Sequence, residues 1–404
     1  MKLTLRERFD RFMHFEEIDR VPNQEIGYWD EAVERWYEEG LPRNILNVHV
    51  GPCTPKRVEY DSDDVGTIMK SAQHDILFPR SGEVGLTEYF GFDRHMRTPI
   101  GPNVGWGPLT AALPRPPPPK ILKDEGDNVV WQDGFGAIYR EQKRMKSIPQ
   151  FLKYAVETWK DWKAIKTMLD PSIPGRYPEN WDRLVGMLKK RDYPICIMYG
   201  GFWWVPRGLM GTPNLCKAFY TNPELVLDIN EHWCHFMIEI TKKALEEVDY
   251  DWAYIAEDMA YKGRAMMSPA HFRKFMLPFY KRLTKFLRQH DVDVVMVDSD
   301  GCMHGLIPLL IEGGATSTWP LEVAAGNDLT VLSRKYHKKF ILRGGIDKYA
   351  LALGTEAIDR ELSKLSPLLE AGGYMPTVDH MVQPNVPLVN MIYYAKAKKK
   401  IIES

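Results

Sequence analysis

From about residue 193 to the C-terminus, short apolar runs alternate with longer stretches of helical periodicity. The strand candidates are PICIMYG (194–200), DWAYIAED (251–258), VDVVMVDSD (292–300), ATSTWPLE (315–322), KFILRGGID (339–347) and YMPTVDH (374–380). Runs that are apolar at consecutive positions predict strands covered on both faces, as in a parallel sheet. Between them, Asn222-Pro223 opens a helix that ends near Val248, with a cap residue followed by proline in the first turn. Ser268-Pro269 opens another that runs to about His290. The stretch 356–373 carries Leu362, Leu365 and Leu369 at helical spacing and stops at a glycine pair. Strand–helix alternation repeated this often predicts parallel strands joined by crossover helices.

Both an open doubly wound sheet and a closed (β/α)8 TIM barrel satisfy that alternation. The strand ends favour the barrel: Tyr199-Gly200, Glu257-Asp258, Asp298 to Asp300, Glu322, Asp347 and Asp379-His380 all place polar residues or glycine there. A barrel gathers its strand ends on one face, whereas an open sheet concentrates them at one switch point. The first 150 residues are less regular. A helix over about 4–15 leads to an extended candidate, VPNQEIGYW, and the tract Pro116 to Pro119 suits neither helix nor central strand. Asp133-Gly134 between β-rich arms over 128–143 predicts an inserted hairpin. The expectation is one α/β barrel domain over 1–404, irregular over 1–150 and regular from 190 onward.

Composition narrows the function classes. A net charge of −1 gives no electrostatic case for nucleic acid or an anionic membrane surface. No apolar run approaches the roughly 18–20 residues of a membrane span, and the charged N-terminus lacks a signal-peptide core. Five scattered cysteines without a CxxC fit a reduced, cytoplasmic protein. Twelve Trp and nineteen Met would suit a pocket for flat apolar ligands, although filling the core is their commoner use.

The chemistry is expected where strands end. Asp298 and Asp300 are two residues apart, so they point to one side of an extended segment, and His380 arrives from another strand end. Asp298, Asp300 and His380, with Glu257 as fourth member or proton donor, form a candidate ligand set for a catalytic zinc, with one position left for substrate. A carboxylate-rich set also admits Mg²⁺ or Mn²⁺, and each of these residues equally suits a helix cap. Beyond the strand at 194–200, Tyr199, Trp203, Trp204 and Arg207 flank a Gly-Gly pair. The glycines would let backbone approach a ligand, the rings would wall a pocket, and Arg207 would hold an anionic substituent. Trp106, Met259 and Trp29 are further lining candidates.

The C-terminal run Asp379-His380-Met381-Val382-Gln383-Pro384-Asn385-Val386-Pro387 resembles the Gly-His-Gly or Gly-Cys-Gly turn and proline pair that close chains of the uroporphyrinogen decarboxylase superfamily. Asp298-Ser299-Asp300-Gly301 stands where the methylcobamide:coenzyme M methyltransferases of that superfamily carry His-x-Cys-Gly. The decarboxylases hold their substrate with an N-terminal R-Q-A-G-R segment; here the corresponding region reads Gln24-Glu25-Ile26-Gly27-Tyr28-Trp29. The resemblance therefore implies a barrel and a corrinoid-dependent methyltransferase. It looks like the first component of an O-demethylase, moving a methyl group from a methoxylated aromatic to the Co(I) corrinoid (cobalamin) of a partner protein. The alternative is a metal-free decarboxylase of an aromatic or tetrapyrrole carboxylate. A homodimer is one assembly open to such a chain.

Overall fold

The computed structural model describes residues 2–42, 83–95, 109–114, 117–143, 149–177 and 179–403. Its strands are β1 (Lys120–Glu125), β2 (Asn128–Gln132), β3 (Ile138–Gln142), β4 (Gln150–Lys153), β5 (Cys196–Gly200), β6 (Trp252–Ala256), β7 (Ala260–Tyr261), β8 (Arg264–Ala265), β9 (Val295–Asp298), β10 (Ser317–Leu321), β11 (Ile341–Ile346) and β12 (Tyr374–Val378). All six strand candidates of the C-terminal half are strands. They form one parallel sheet in the order β12-β11-β10-β9-β6-β5.

Alternate side chains of this sheet enter two separate cores, because successive residues of a strand face opposite sides. Cys196, Met198, Trp252, Tyr254, Val294, Met296, Trp319, Ile341 and Met375 meet on the inner face. Phe9, Phe12 and Met13 of the helix Leu5–Met13 close that inner cluster at one end. Their neighbours in sequence, among them Ile197, Tyr199, Ala253, Ile255, Val295, Val297 and Leu342, pack outward against the helices. A sheet with an inner cluster of its own and helices outside is the layering of a barrel-type fold. Among the described residues, however, the ladder does not close into eight strands. The extended segment 21–29 lies beside the β12 end, yet it contributes a single parallel bridge, Tyr28 to Val382, where a strand was expected.

What fixes that segment is a buried ion pair. Lys398 Nζ, on the C-terminal helix Leu388–Glu403, meets Glu25 Oε1 at 2.5 Å and donates to the Gln24 carbonyl at 2.9 Å. Tyr394 donates to the same Glu25 oxygen at 2.5 Å, and the Val378 N–H donates to the other at 3.0 Å. Burial lowers the Lys398 pKa, against the raising influence of Glu25.

Two expected helices are each broken in two. The one from Ser268 becomes Pro269–Phe275 and Leu277–Arg288, since Pro278 has no N–H for the Lys274 carbonyl. The one over 356–373 becomes Thr355–Leu362 and Leu365–Ala371, with Pro367 breaking the ladder in the same way. The helix Pro223–Glu247 runs as expected. The predicted hairpin is the centre of a four-stranded antiparallel sheet, β1-β2-β3-β4. Asp133 organises its turn by accepting from the Phe135 and Ala137 N–H groups. None of the described helices is long and apolar enough to cross a membrane.

Candidate active site at the strand ends

Three of the strand-end acids brace the mouth from within. Glu257, just past β6, is 1% exposed and accepts from the Phe202, Trp203 and Trp204 N–H groups at 2.8–2.9 Å. Tyr280 donates to it at 2.5 Å. Glu322, past β10, accepts from the Gly301 N–H and from Lys348 Nζ. Asp379, past β12, accepts from the Val323 and Lys348 N–H groups at 2.8 and 2.9 Å. Each carboxylate thus ties the loop of a neighbouring strand to its own.

Gly201 shows how closely that bracing is built. A Cβ there would lie 2.0 Å from the Glu257 carboxyl carbon. The backbone approach foreseen for the Gly-Gly pair is real, and its occupant is the chain's own Glu257. Gly201→Ala is expected to cost about 3 kcal/mol, from overpacking and from buried N–H groups left without their acceptor. Urea unfolding measures it, with Gly186→Ala as the matched control. Gly186 lies in the helix Trp181–Leu188 with open space beside it. A Gly201→Ala cost no larger than the control's would contradict the bracing role.

Above these braces lies an accessible polar cluster. Asp300 Oδ2 stands 3.5 Å from His380 Nε2. Asp258 accepts from the backbone N–H of Asp300, and Arg207 Nη2 reaches Asp258 Oδ2 at 3.2 Å. The Arg207 guanidinium in turn covers the Trp204 ring at 4.6 Å. Asp258 adopts φ of 53°, a left-handed conformation that Asp tolerates better than most side chains. That twist separates Glu257, turned into the braced interior, from Asp258, turned to the mouth. Gly301 holds the other side: at φ of 90°, a Cβ there would meet the Ala260 and Tyr261 backbone at 2.6 Å.

Burial, then the adjacent Asp300 charge, raise the Asp258 pKa against the opposing pull of Arg207. For His380, burial works downward, but the hydrogen bond and charge of Asp300 outweigh it and the net shift is upward. Burial also lifts Glu257 to about 7 and Asp379 to about 6. All these groups hold protons in the folded chain that the unfolded chain releases. Their stabilisation is complete below the unfolded pKa values and is lost as pH rises through the folded ones. The thermal midpoint is therefore expected to fall by a few degrees between about pH 5 and about pH 8, with Glu257→Gln flattening the slope. A midpoint that rises over this window would reverse the assigned shifts.

The match to known sequences decides the family. The uroporphyrinogen decarboxylase (URO-D) description fits residues 132–401. The chain belongs to the uroporphyrinogen decarboxylase family. Among solved structures it is similar to a methyltransferase from Methanosarcina mazei, with TM-score 0.58, 14% identity and 99% of each chain covered. A B12-independent methionine synthase from a Shewanella species matches with TM-score 0.35 and 13% identity, over 55% of this chain and 65% of that one. A uronate isomerase from Bacillus halodurans matches with TM-score 0.32 and 12% identity, over 61% and 60%. At 14% identity the likeness to the Methanosarcina mazei methyltransferase is one of fold. No curated protein matches the sequence.

Within this URO-D family member, the candidate site residues divide sharply. Asp300 and His380 come together, and Arg207 and Trp204 stand beside them through Asp258. Asp298 faces the inner cluster and accepts from Tyr254. Glu257 is withdrawn into its backbone cradle. Consequently the set Asp298, Asp300, His380 and Glu257 does not converge, and no group of three or more His, Cys, Asp or Glu among the described residues could hold a metal ion. The donors present do not fit the expected zinc. The physical reason is that alternation carries Asp298 and Asp300 to one side only while the strand lasts, and β9 ends at Asp298.

Three pocket candidates belong to the core instead. Tyr199 faces outward and donates to Thr241, Trp203 packs near Phe219, and Met259 is fully buried, each at 0% exposure. Trp29 is exposed at the start of the helix Asp30–Glu38. Trp106 lies outside the described residues. In the segment Gln24 to Trp29, which stands in place of the arginines of URO-D decarboxylases, Glu25 pairs with Lys398. Arg343 was missed, and Asp258 was read only as a strand-end acid beside Glu257, without its place between Arg207 and Asp300. Nothing in the sequence foretells the left-handed turn at Asp258. Arg343 had a visible signal, a lone charge inside the apolar run of β11.

Proposed function

We propose that this chain is a corrinoid-dependent methyltransferase that demethylates aryl methyl ethers. The observation that carries the reading is the Arg207–Asp258–Asp300–His380 cluster, a proton-holding constellation set at the accessible end of the strands beside the Trp204 ring. An aryl ether resists cleavage because phenolate leaves poorly, so the reaction needs an acid at the ether oxygen. The corrinoid of a separate partner protein supplies the Co(I) electron pair that accepts the methyl group. As the C–O bond breaks, its electron pair goes to the aryl oxygen, and a proton from Asp258 or His380 neutralises it. Asp300 couples the two donors, and Arg207 keeps Asp258 aligned. The partner docks over the strand ends, in line with the breaking bond. We take the whole chain as one domain and complete the sheet to an eight-stranded barrel under this reading.

The test is to combine the enzyme, a reduced corrinoid protein and a series of methoxybenzenes, and to follow the cobalt absorption. Loss of the Co(I) spectrum with one methoxyarene, and free phenol in equal amount, is the expected result. No change with any methoxyarene would reject the reading. A second reading, a metal-independent decarboxylase, draws on the same cluster, because among the described residues no three-ligand metal set gathers beside its donors. Carbon dioxide release from an aromatic or tetrapyrrole carboxylate, with no corrinoid present, would select it.

A further inference from the structure

The short helix Trp204–Met210 carries both Trp204 and Arg207 to the mouth, and different parts of the chain hold its two ends. Glu257 fixes the start by accepting from the Trp203 and Trp204 N–H groups. The other end is met by residues upstream of the regular strand–helix repeats. Gly208 faces Leu109, whose Cδ1 would lie 3.0 Å from an added Cβ. At Gly211, with φ of 77°, an added Cβ would lie 2.1–2.5 Å from three ring carbons of Tyr154. The Gly211 N–H donates to the Arg207 carbonyl at 2.7 Å, and the Val156 N–H donates to the Leu209 carbonyl at 2.9 Å. Protein interiors are packed as densely as organic crystals, so a ring seated this closely on backbone fixes where the helix ends.

Tyr154 is itself the last ring of a row. It stacks on Phe151 at 5.0 Å, Phe151 meets Tyr139 at 4.8 Å, and Tyr139 stacks on Trp131 at 4.5 Å. Trp131, Tyr139 and Phe151 lie on β2, β3 and β4 and face one another in register. Cross-strand aromatic pairs of this kind stabilise a sheet. The antiparallel sheet thus presents one supported ring to the backbone just beyond Arg207.

We propose that Tyr154 is a positioning residue for Arg207: the inserted antiparallel sheet seats the end of the helix Trp204–Met210 and so sets where the guanidinium stands at the mouth. The chemical use of that position rests on the reading given under Proposed function, whereas the seating does not. Ring carbons make the contact with Gly211, so Tyr154→Phe keeps the seat and Tyr154→Ala empties it.

The Arg207 guanidinium covers the Trp204 ring, so Trp204 reports its place without any methyl transfer. In the full chain labelled with fluorotryptophan, the fluorine-NMR signal that disappears in Trp204→Phe belongs to Trp204. Arg207→Met defines how that signal moves once the guanidinium is gone. Tyr154→Ala is expected to move it in the same direction, and Tyr154→Phe to leave it in place. A Tyr154 that only stabilised the fold would lower the thermal midpoint and leave the signal where it is. Should Tyr154→Ala fail to fold, Tyr154→Leu, which keeps bulk without a flat ring, takes its place. A Trp204 signal at the parent position in the folded variant would overturn the proposal.

With the reduced corrinoid protein and a methoxybenzene, Tyr154→Ala should slow methyl transfer by roughly 10–10²-fold, and Tyr154→Phe should leave it unchanged. No transfer by any form, with the Trp204 signal still governed by Tyr154, rejects the methyltransferase reading and keeps the seating. Full-rate transfer in Tyr154→Ala, with the signal unmoved, does the reverse.

Discussion

Replacing Asp300 by alanine is expected to slow methyl transfer by about 10²–10⁴-fold, the usual worth of a positioned acid–base group. The variant should remain folded. The Asp300 side chain is 42% exposed, and the ion pair that it makes is with His380, not with the braces of the mouth. Its loss removes the partner that raises the His380 pKa and that also raises Asp258. His380→Ala should fall in the same range. Since the two act as one unit, Asp300→Ala/His380→Ala should be little worse than either alone. Single-turnover measurement of Co(I) loss reads the effect on chemistry directly, and circular dichroism confirms the fold. Full-rate transfer in the Asp300 variant would remove the cluster from the mechanism. The pH dependence gives a second readout, because an acid held high by burial and like charge should move toward its ordinary range once that charge is gone.

Lys398→Met is expected to destabilise the fold by about 3–5 kcal/mol, because it leaves Glu25 charged, buried and without its cation. The pair is sealed, with side-chain exposures of 0% for Lys398 and 4% for Glu25. It joins three parts that are distant in sequence: the segment 21–29, the β12 end and the C-terminal helix Leu388–Glu403. Lys398→Met/Glu25→Gln should recover most of the loss, since it removes both charges and keeps an acceptor for the Val378 N–H. Chemical unfolding of the single and double variants supplies the cycle. A single variant as stable as the parent chain would mean that the surrounding donors alone satisfy Glu25. The pair occupies the region in which URO-D decarboxylases carry substrate-binding arginines, so that stretch contributes stability here.

The strands were legible because burial on both faces leaves a mark that needs no partner information: VMVD, WAYIA and YMPTV are apolar at nearly every position. The helix start at Ser268 was legible because a cap acts within one turn of its own sequence, and the start after Asn222 because Pro223 suits the first helical turn. Helix breaks at Pro278 and Pro367 were equally local, and the continuous apolar spacing around them concealed them. The acids at the strand ends were visible as a class, but their individual tasks were not. Glu257 and Asp258 are adjacent, yet one is bound to three backbone N–H groups and the other faces Arg207. That difference is a single left-handed φ, which leaves no trace in composition or spacing.

By itself the sequence determined the alternating parallel architecture, the family, and the pair Asp300 and His380, because each rests on local pattern or on short motifs. Only the tertiary structure decided which acids brace the mouth and which face it, that Glu25 pairs with Lys398, and that Arg343 lies over Trp319 inside the sheet. Those outcomes depend on residues tens to hundreds of positions apart meeting in a low-dielectric interior. There, a carboxylate's role is set by the donors and charges that the fold brings within about 3–4 Å of it.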